Sequence, residues 1–241
     1  MKKFLPLLIL FFLLTITSCS KEEIEEPEIE SYYELLTDYE KEIVSYFEDV
    51  ALGFEFGNSS RITRKWAQPM KIFVGGEPST ALEEELHKIT TEINGLATDG
   101  FQIEIVTDTL QSNYYIFLGS GQDYASIFPE IKEYIESNWG LFTVYYNGNN
   151  NFYKGNMYVD LYRTTSLEAK KHLLREELTQ SLGLARDSEL YEESIFQLKW
   201  TTITQYSNID RELIQLLYHP EMRPGLNSRD VKEVLAKILL E

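Results

Sequence analysis

The sequence predicts one α+β domain carried on an N-terminal tether. Apolar residues recur at helical spacing through 80–96, short alternating or apolar runs flank that segment on both sides, and after position 30 there is neither an internal repeat nor a compositional break. A chain of 241 residues that is 43% hydrophobic and 13% aromatic can fill one sizeable core, so no second domain is needed. The expected arrangement is a mixed sheet, a long helix backing it, a further helix bearing the candidate site and a helical C-terminal part.

The elements follow in chain order. Thr37-Asp38-Tyr39-Glu40 has the form of a capping box, and Ile43, Phe47 and Val50 mark one face of the helix it would start, with Gly53 beyond its end. Residues 70–74 read as a strand, followed by Gly75-Gly76 and a second capping box from Thr80 to Glu83. The helix from there carries Leu82, Leu86, Ile89, Ile93 and Leu96 in one stripe, which should lie on a sheet. Phe101, Ile103 and Ile105 alternate with Gln102 and Glu104, predicting a strand over 101–107, and 114–118 predicts another. Within 123–138, Ile127, Ile131 and Ile135 have helical spacing, and Pro129 sets the start of that helix near itself. Residues 141–146 and 152–162 are aromatic-rich strands joined through the polar loop 147–151 as a hairpin. Thr165 and Glu168 form a third capping box for a helix running to Gly183, and 228–240 is a capped terminal helix with Val231, Val234, Leu235 and Ile238 on its apolar face. The pairs Gly119-Ser120-Gly121 and Gly75-Gly76 lack the Lys and Ser/Thr of a phosphate loop and are expected to be plain loops.

The N-terminus predicts the location. Lys2 and Lys3 precede an apolar run over 5–16, and Ile16-Thr17-Ser18-Cys19 closes it. The run is shorter than the roughly 20 residues of a membrane span. It resembles a bacterial lipoprotein signal, which implies removal of 1–18, lipidation of Cys19 and a membrane anchor made of several acyl chains. Residues 19–30, rich in Glu, form an acidic tether. Lys21 followed by acidic residues resembles the surface-export signal of some Gram-negative lipoproteins, so the expected location is the outer membrane, facing either the surface or the periplasm. Cys19 is the only cysteine, which leaves the domain no disulfide, thiolate ligand or thiol nucleophile. A formal net charge of −17 disfavours phosphate backbones, so nucleic acid is excluded as a partner.

The candidate site is Glu176-Glu177-Leu178-Thr179-Gln180 with the following Gly183 and Asp187. Its spacing is similar to the zinc-peptidase pattern HExxHxxGxxH. Glu176, Gln180 and Asp187 stand where the three histidines would be, and Glu177 and Gly183 match. Ser194-Ile195-Phe196 is similar to the Ser-Ile-Met segment of matrixins, and 206–218 to their closing helix. Together with the order of elements, these features resemble matrixin-like metzincin peptidases over 66–225, within a single domain spanning 31–241. Arg175-Glu176-Glu177, Gln180-Ser181-Leu182-Gly183-Leu184, Leu217-Tyr218-His219-Pro220 and Pro224-Gly225 also resemble an uncharacterised secreted family filed as a domain of unknown function (2927).

The resemblance implies a metallopeptidase-like frame with Glu177 in the place of the general base. The residue types alter its chemistry. A Gln amide is a poor zinc ligand, and two carboxylates with an amide make an oxygen set better suited to Ca²⁺, Mg²⁺ or Mn²⁺. His172, one turn before Glu176, could join such a site or be a hydrogen-bonded helix histidine; His87 and His219 have no partner pattern. A metal-free alternative is a polar network of Glu176, Glu177, Gln180 and Asp187, with Arg175 or Arg186 neutralising a carboxylate. The leading expectation is therefore a lipid-anchored, non-catalytic binding or structural protein with no cofactor, which would take a protein, peptide or glycan ligand. The alternative is a metal-dependent hydrolase using Glu176, Gln180 and Asp187 to hold a divalent cation. Aromatic residues over 139–162 could form a ligand platform or simply core.

Overall fold

The computed structural model describes residues 31–57 and 59–241; the expected signal, Cys19 and the expected tether lie outside these described residues. In chain order they form α1 (Asp38–Ala51), β1 (Lys65–Trp66), β2 (Met70–Gly76), α2 (Thr80–Leu96), β3 (Ile103–Ile105), β4 (Tyr114–Gly119), α3 (Gly121–Ile127), β5 (Gly140–Tyr146), β6 (Asn151–Asp160), α4 (Leu167–Gln180), α5 (Asn208–Leu217) and α6 (Ser228–Leu239). The architecture is mixed α/β within the one unit Ser31–Glu241. None of the described helices is long and apolar enough to cross a membrane.

The sheet runs β3-β2-β4-β6, all parallel, and β5 joins the far side of β6 antiparallel. The two residues of β1 pair parallel with Asn151 and Phe152 at the start of β6. Parallel neighbours need crossovers, and α2 supplies the one between β2 and β3. The predicted stripe of α2 is buried throughout, at Leu82, Leu86, Ile89, Ile93 and Leu96. It packs on β3 and also against α4 and α5, so the helix backs other helices as well as the sheet. The hairpin β5–β6 pairs Leu141 with Tyr158 and Thr143 with Asn156, which fixes where the start of β5 lies relative to α4.

Local chemistry explains where the elements differ from expectation. The capping box at Thr37 is complete, with Thr37 Oγ1 accepting from the Glu40 amide and the Glu40 carboxylate accepting from the Thr37 amide. At α2 the N-cap is Ser79 and Thr80 is the first helical residue, so no Thr80 box forms. At α4 the cap is Ser166, whose hydroxyl accepts from the Ala169 amide, instead of Thr165. The helix expected after Pro129 lies before it: Ser120 caps α3, and Pro129 permits only a 3₁₀ turn over Pro129–Ile131. A proline disfavours helical geometry in the residue preceding it, and Phe128 sits at φ −123 accordingly. Ile131 and Ile135 are buried all the same, in a small cluster with Phe117, Tyr124, Leu141 and Tyr158. The strand over 101–107 shortens to Ile103–Ile105, and the side chains of Asp99 and Asn94 take the amides of Phe101 and Ile103 at its start. β6 stops at Asp160, whose carboxylate accepts the amides of Tyr162 and Arg163 and so turns the chain.

Gly183 is where the fold positions the site. Its φ is +123, and a Cβ there would lie 2.0 Å from the Arg64 carbonyl oxygen, so both conformation and space require glycine. Trp66 Nε1 donates to the Ser181 carbonyl at 3.0 Å and Tyr218 Oη to the Leu182 carbonyl at 3.0 Å. The turn leaving α4 is thus clamped by β1 and by the end of α5. Asp210 extends this framework: it closes the capping box of α5 with Ser207 and accepts from Ser194 Oγ at 2.5 Å, which in turn accepts from Tyr46 Oη at 2.7 Å. The Ser194-Ile195-Phe196 segment is therefore pinned between α1 and α5, with Phe196 fully buried. α6 packs against α1, burying Val231 and Leu235, with Val234 and Ile238 partly covered.

Candidate functional site

α4 carries His172, Glu176 and Gln180 at intervals of four, so one helix face projects all three. That face and the start of β5 form the floor of a cleft of about 920 Å³. Two irregular segments raise its walls. Residues 54–57 after α1 bring Phe54, Glu55 and Phe56, held by the Glu55 amide on the Ala185 carbonyl at 3.3 Å. Residues 197–200 bring Gln197, Leu198, Lys199 and Trp200, held by the parallel bridge between Ser188 and Gln197. Trp139, Phe142 and Tyr146 complete an aromatic wall on the hairpin side. The aromatic stretch 139–162 therefore divides by position: Phe152 and Tyr158 are core, and Trp139 and Tyr146, at the two ends of β5, line the cleft exposed.

The structure brings Glu176, Glu177, Gln180, Asp187 and His172 to this one cleft. Gln180 Nε2 donates to Asp187 Oδ1 at 2.6 Å, across the turn at Gly183. His172 is 3% exposed; its Nδ1 meets the Ile203 carbonyl at 2.7 Å, and its Nε2 lies 3.3 Å from Glu176 Oε2. A carbonyl can only accept, so Nδ1 carries the hydrogen. Trp200 stands edge-on to the same imidazole at 5.6 Å between ring centres. Among the described residues no three His, Cys, Asp or Glu side chains converge to hold a metal ion. His87 is exposed, and His219 accepts from the Glu221 amide away from the cleft.

Arg175 does not neutralise this site. It is wholly buried on the other side of α4, with Nη2 2.6 Å from Glu85 Oε1 and Nη1 2.5 Å from Glu92 Oε2, both on α2. A step of one residue along a helix turns a side chain by about 100°, so adjacency to Glu176 in sequence separates the two in space. The Arg186 Nε is buried without a hydrogen-bond partner among the described residues.

Apart from the Gln180 and His172 contacts, the carboxylates therefore face one another. Glu177 is 8% exposed, and its side chain has no hydrogen-bond partner among the described residues. Burial first, then the charges of Glu176, Asp187 and Glu55, hold its carboxyl well above the usual range. Burial and the charges of Glu176 and Glu55 push Asp187 up to about 7, against an opposing hydrogen bond from Gln180. For His172, burial pulls the imidazole down, but Glu176 beside it more than offsets that and the net direction is up. Such a floor can bind a cation, hold a proton or accept hydrogen bonds.

Gly140 makes room for Glu177, since a Cβ there would lie 2.6 Å from Glu177 Oε1 and 2.9 Å from its Cγ. Only a movable side chain obstructs it, so Gly140→Ala is expected to lower stability by about 1 kcal/mol while swinging the carboxylate aside. Carboxyl titration followed by NMR should then show Glu177 returning toward an ordinary acid; an unchanged titration would contradict the placement.

Sequence reading missed Glu55, Gly140 and Trp200. A signal for the first existed in Gly53-Phe54-Glu55-Phe56-Gly57, an acid between two aromatics bracketed by glycines. No local pattern marks the other two, which reach the cleft through strand register and the Ser188–Gln197 bridge.

A family model described as "Protein of unknown function (DUF2927)" matches residues 40–237. No curated protein matches the chain.

Proposed function

Because the chain belongs to this family of proteins of unknown function, DUF2927, we propose its role from the cleft itself: a lipid-anchored, non-catalytic binding domain built on a metallopeptidase-like frame. The observation that carries the proposal is the hydrogen bond from Gln180 to Asp187. Two of the three positions where a zinc peptidase would place histidines satisfy each other, and the third, Glu176, faces His172. Gln180 does not suit zinc, whose ligands are imidazoles, thiolates or carboxylates, and its amide N–H is spent on Asp187. What supports a binding role is a cleft large enough for a peptide or glycan segment, lined by aromatic side chains and by polar groups that converge on its floor.

The proposed setting is the outer membrane, through acylation of Cys19, with the acidic segment 19–30 holding the domain away from the bilayer. The strongly negative charge argues against nucleic-acid partners in this role.

One observation favours a second reading. Glu177 stands above the usual carboxylate range, as a group that carries protons in a reaction would. On that reading the protein is a hydrolase with Glu177 as base and an oxygen-held divalent cation. Elemental analysis of the full-length protein separates the two: less than a tenth of an equivalent of transition metal is expected, and one equivalent of zinc or manganese would overturn the binding proposal. A peptidase activity that disappears in Glu177→Gln would do the same.

A further inference from the structure

The charge inventory of the cleft is one-sided. Glu55, Glu176, Glu177 and Asp187 line it, and only His172 and Lys199 among its lining residues can be positive. His172 is held by the Ile203 carbonyl and by Glu176, and Lys199 sits exposed, with no ion pair to these carboxylates among the described residues. Glu177 therefore lies more than nine-tenths buried while lining an open cleft, and its side chain makes no hydrogen bond among the described residues. A carboxyl held this way, reachable from the cleft and without a fixed donor, points to a partner arriving from outside.

The walls indicate what kind of partner. Phe56, Trp139, Phe142 and Trp200 surround the acidic floor, while the ring of Tyr146 already carries the Arg64 guanidinium at 4.4 Å. Aromatic faces attract cations through their negative quadrupole and accept aliphatic chain by burial. An inorganic cation fits less well, because no three acidic or imidazole side chains converge and the Gln180 amide presents an N–H to Asp187 where an oxygen ligand would be needed. A neutral sugar could donate to Glu177 but would leave the charge of the floor uncompensated.

Resting on the binding reading above, we propose that the ligand presents a protonated amine on an aliphatic stem, with the ammonium seated against Glu177 between Glu176 and Asp187 and the stem along the aromatic wall. A lysine side chain and a free diamine share this chemistry.

The test uses full-length protein in a non-ionic detergent, with acetyl-lysine methylamide, its norleucine counterpart and cadaverine titrated by calorimetry. The lysine derivative should bind at least tenfold more tightly than the norleucine derivative, and at least tenfold more weakly to Glu177→Gln. Cadaverine binding as well as the lysine derivative points to a free amine as the source, and cadaverine binding more weakly points to a peptide side chain. Equal binding of the norleucine derivative overturns the cation while leaving a binding cleft in place. Unchanged affinity in Glu177→Gln overturns the seat, and absence of binding by either amine up to about 10 mM overturns the proposal outright. One equivalent of bound Mn²⁺ or Ca²⁺ that abolishes amine binding replaces it with a metal site. Hydrolysis of the lysine derivative sinks the non-catalytic reading but not the preference for a cation.

Discussion

Arg175→Ala is expected to destabilise the domain by about 3–5 kcal/mol, a large share of the roughly 5–15 kcal/mol that holds a typical domain folded. Arg175 is 0% exposed, and it joins α4 to α2 through Glu85 and Glu92 while lying over the ring of Tyr206. Removing the guanidinium leaves Glu85, itself 5% exposed, with only Lys171 at 3.7 Å, and an uncompensated buried carboxylate is what makes such deletions severe. The effect belongs to the broken pair and not to charge as such. The double variant Arg175→Met with Glu85→Leu should recover most of the loss, because an apolar replacement of a whole buried pair is often neutral. Urea unfolding measures both. If Arg175→Ala lost less than about 1 kcal/mol, the residue would not be the tie between these helices.

The second large effect is one of pH. Asp187 and Glu177 have folded-state pKa values above those of the unfolded chain, so the folded state binds their protons more tightly. Their carboxyls are compatible with folding below the unfolded pKa near 4, and the penalty of ionising them grows as pH rises and is complete above the folded values, about 7 for Asp187. His172, also raised, contributes stability below its unfolded pKa that disappears as pH climbs through its folded pKa, so it works in the same direction. The domain should therefore be more stable at pH 5.5 than at pH 8, by on the order of 2 kcal/mol after allowing for the partial exposure of Asp187. Asp187→Asn and Glu177→Gln should each raise the melting temperature at pH 8 and flatten the profile. If Glu177→Gln were less stable at pH 8 than the parent, that carboxylate would have a partner the fold supplies; if Asp187→Asn were, the Gln180 hydrogen bond would outweigh the burial of the charge. A site that weakens its own protein at working pH is common where function requires unpaired charge.

Legibility from the sequence varied with how local the determining physics is. Thr37 and Glu40 complete a capping box because every atom involved lies within one turn, and the α2 stripe is buried as its spacing predicts. Thr80 and Thr165 share the same pattern, yet Ser79 and Ser166 are the caps, because the start of a helix is also set by how the chain leaves the preceding segment. Of the three isoleucines at helical spacing, Ile131 and Ile135 are core but sit in turns and Ile127 is exposed, since burial does not require a helix once Pro129 prevents one.

Glu176, Glu177, Gln180, Asp187 and His172 were legible as one cluster because four of them lie on a single helix and Gly183 returns the fifth. Periodicity on α4 places side chains relative to its own axis, and no more than that. Which carboxylate Arg175 would meet depended on α2, 83 to 90 residues away in sequence, and the space for Glu177 depended on β5 presenting a glycine at position 140. The sequence by itself determined the α+β class, the amphipathic helices and the cluster carried by α4 and the turn after it, since these rest on interactions within a few residues. Only the tertiary structure decided that Glu55 joins that cluster, that its carboxylates outnumber the cations around them among the described residues and that it opens into an aromatic cleft, because pairing, burial and the resulting pKa shifts are set by whatever the rest of the chain packs against it.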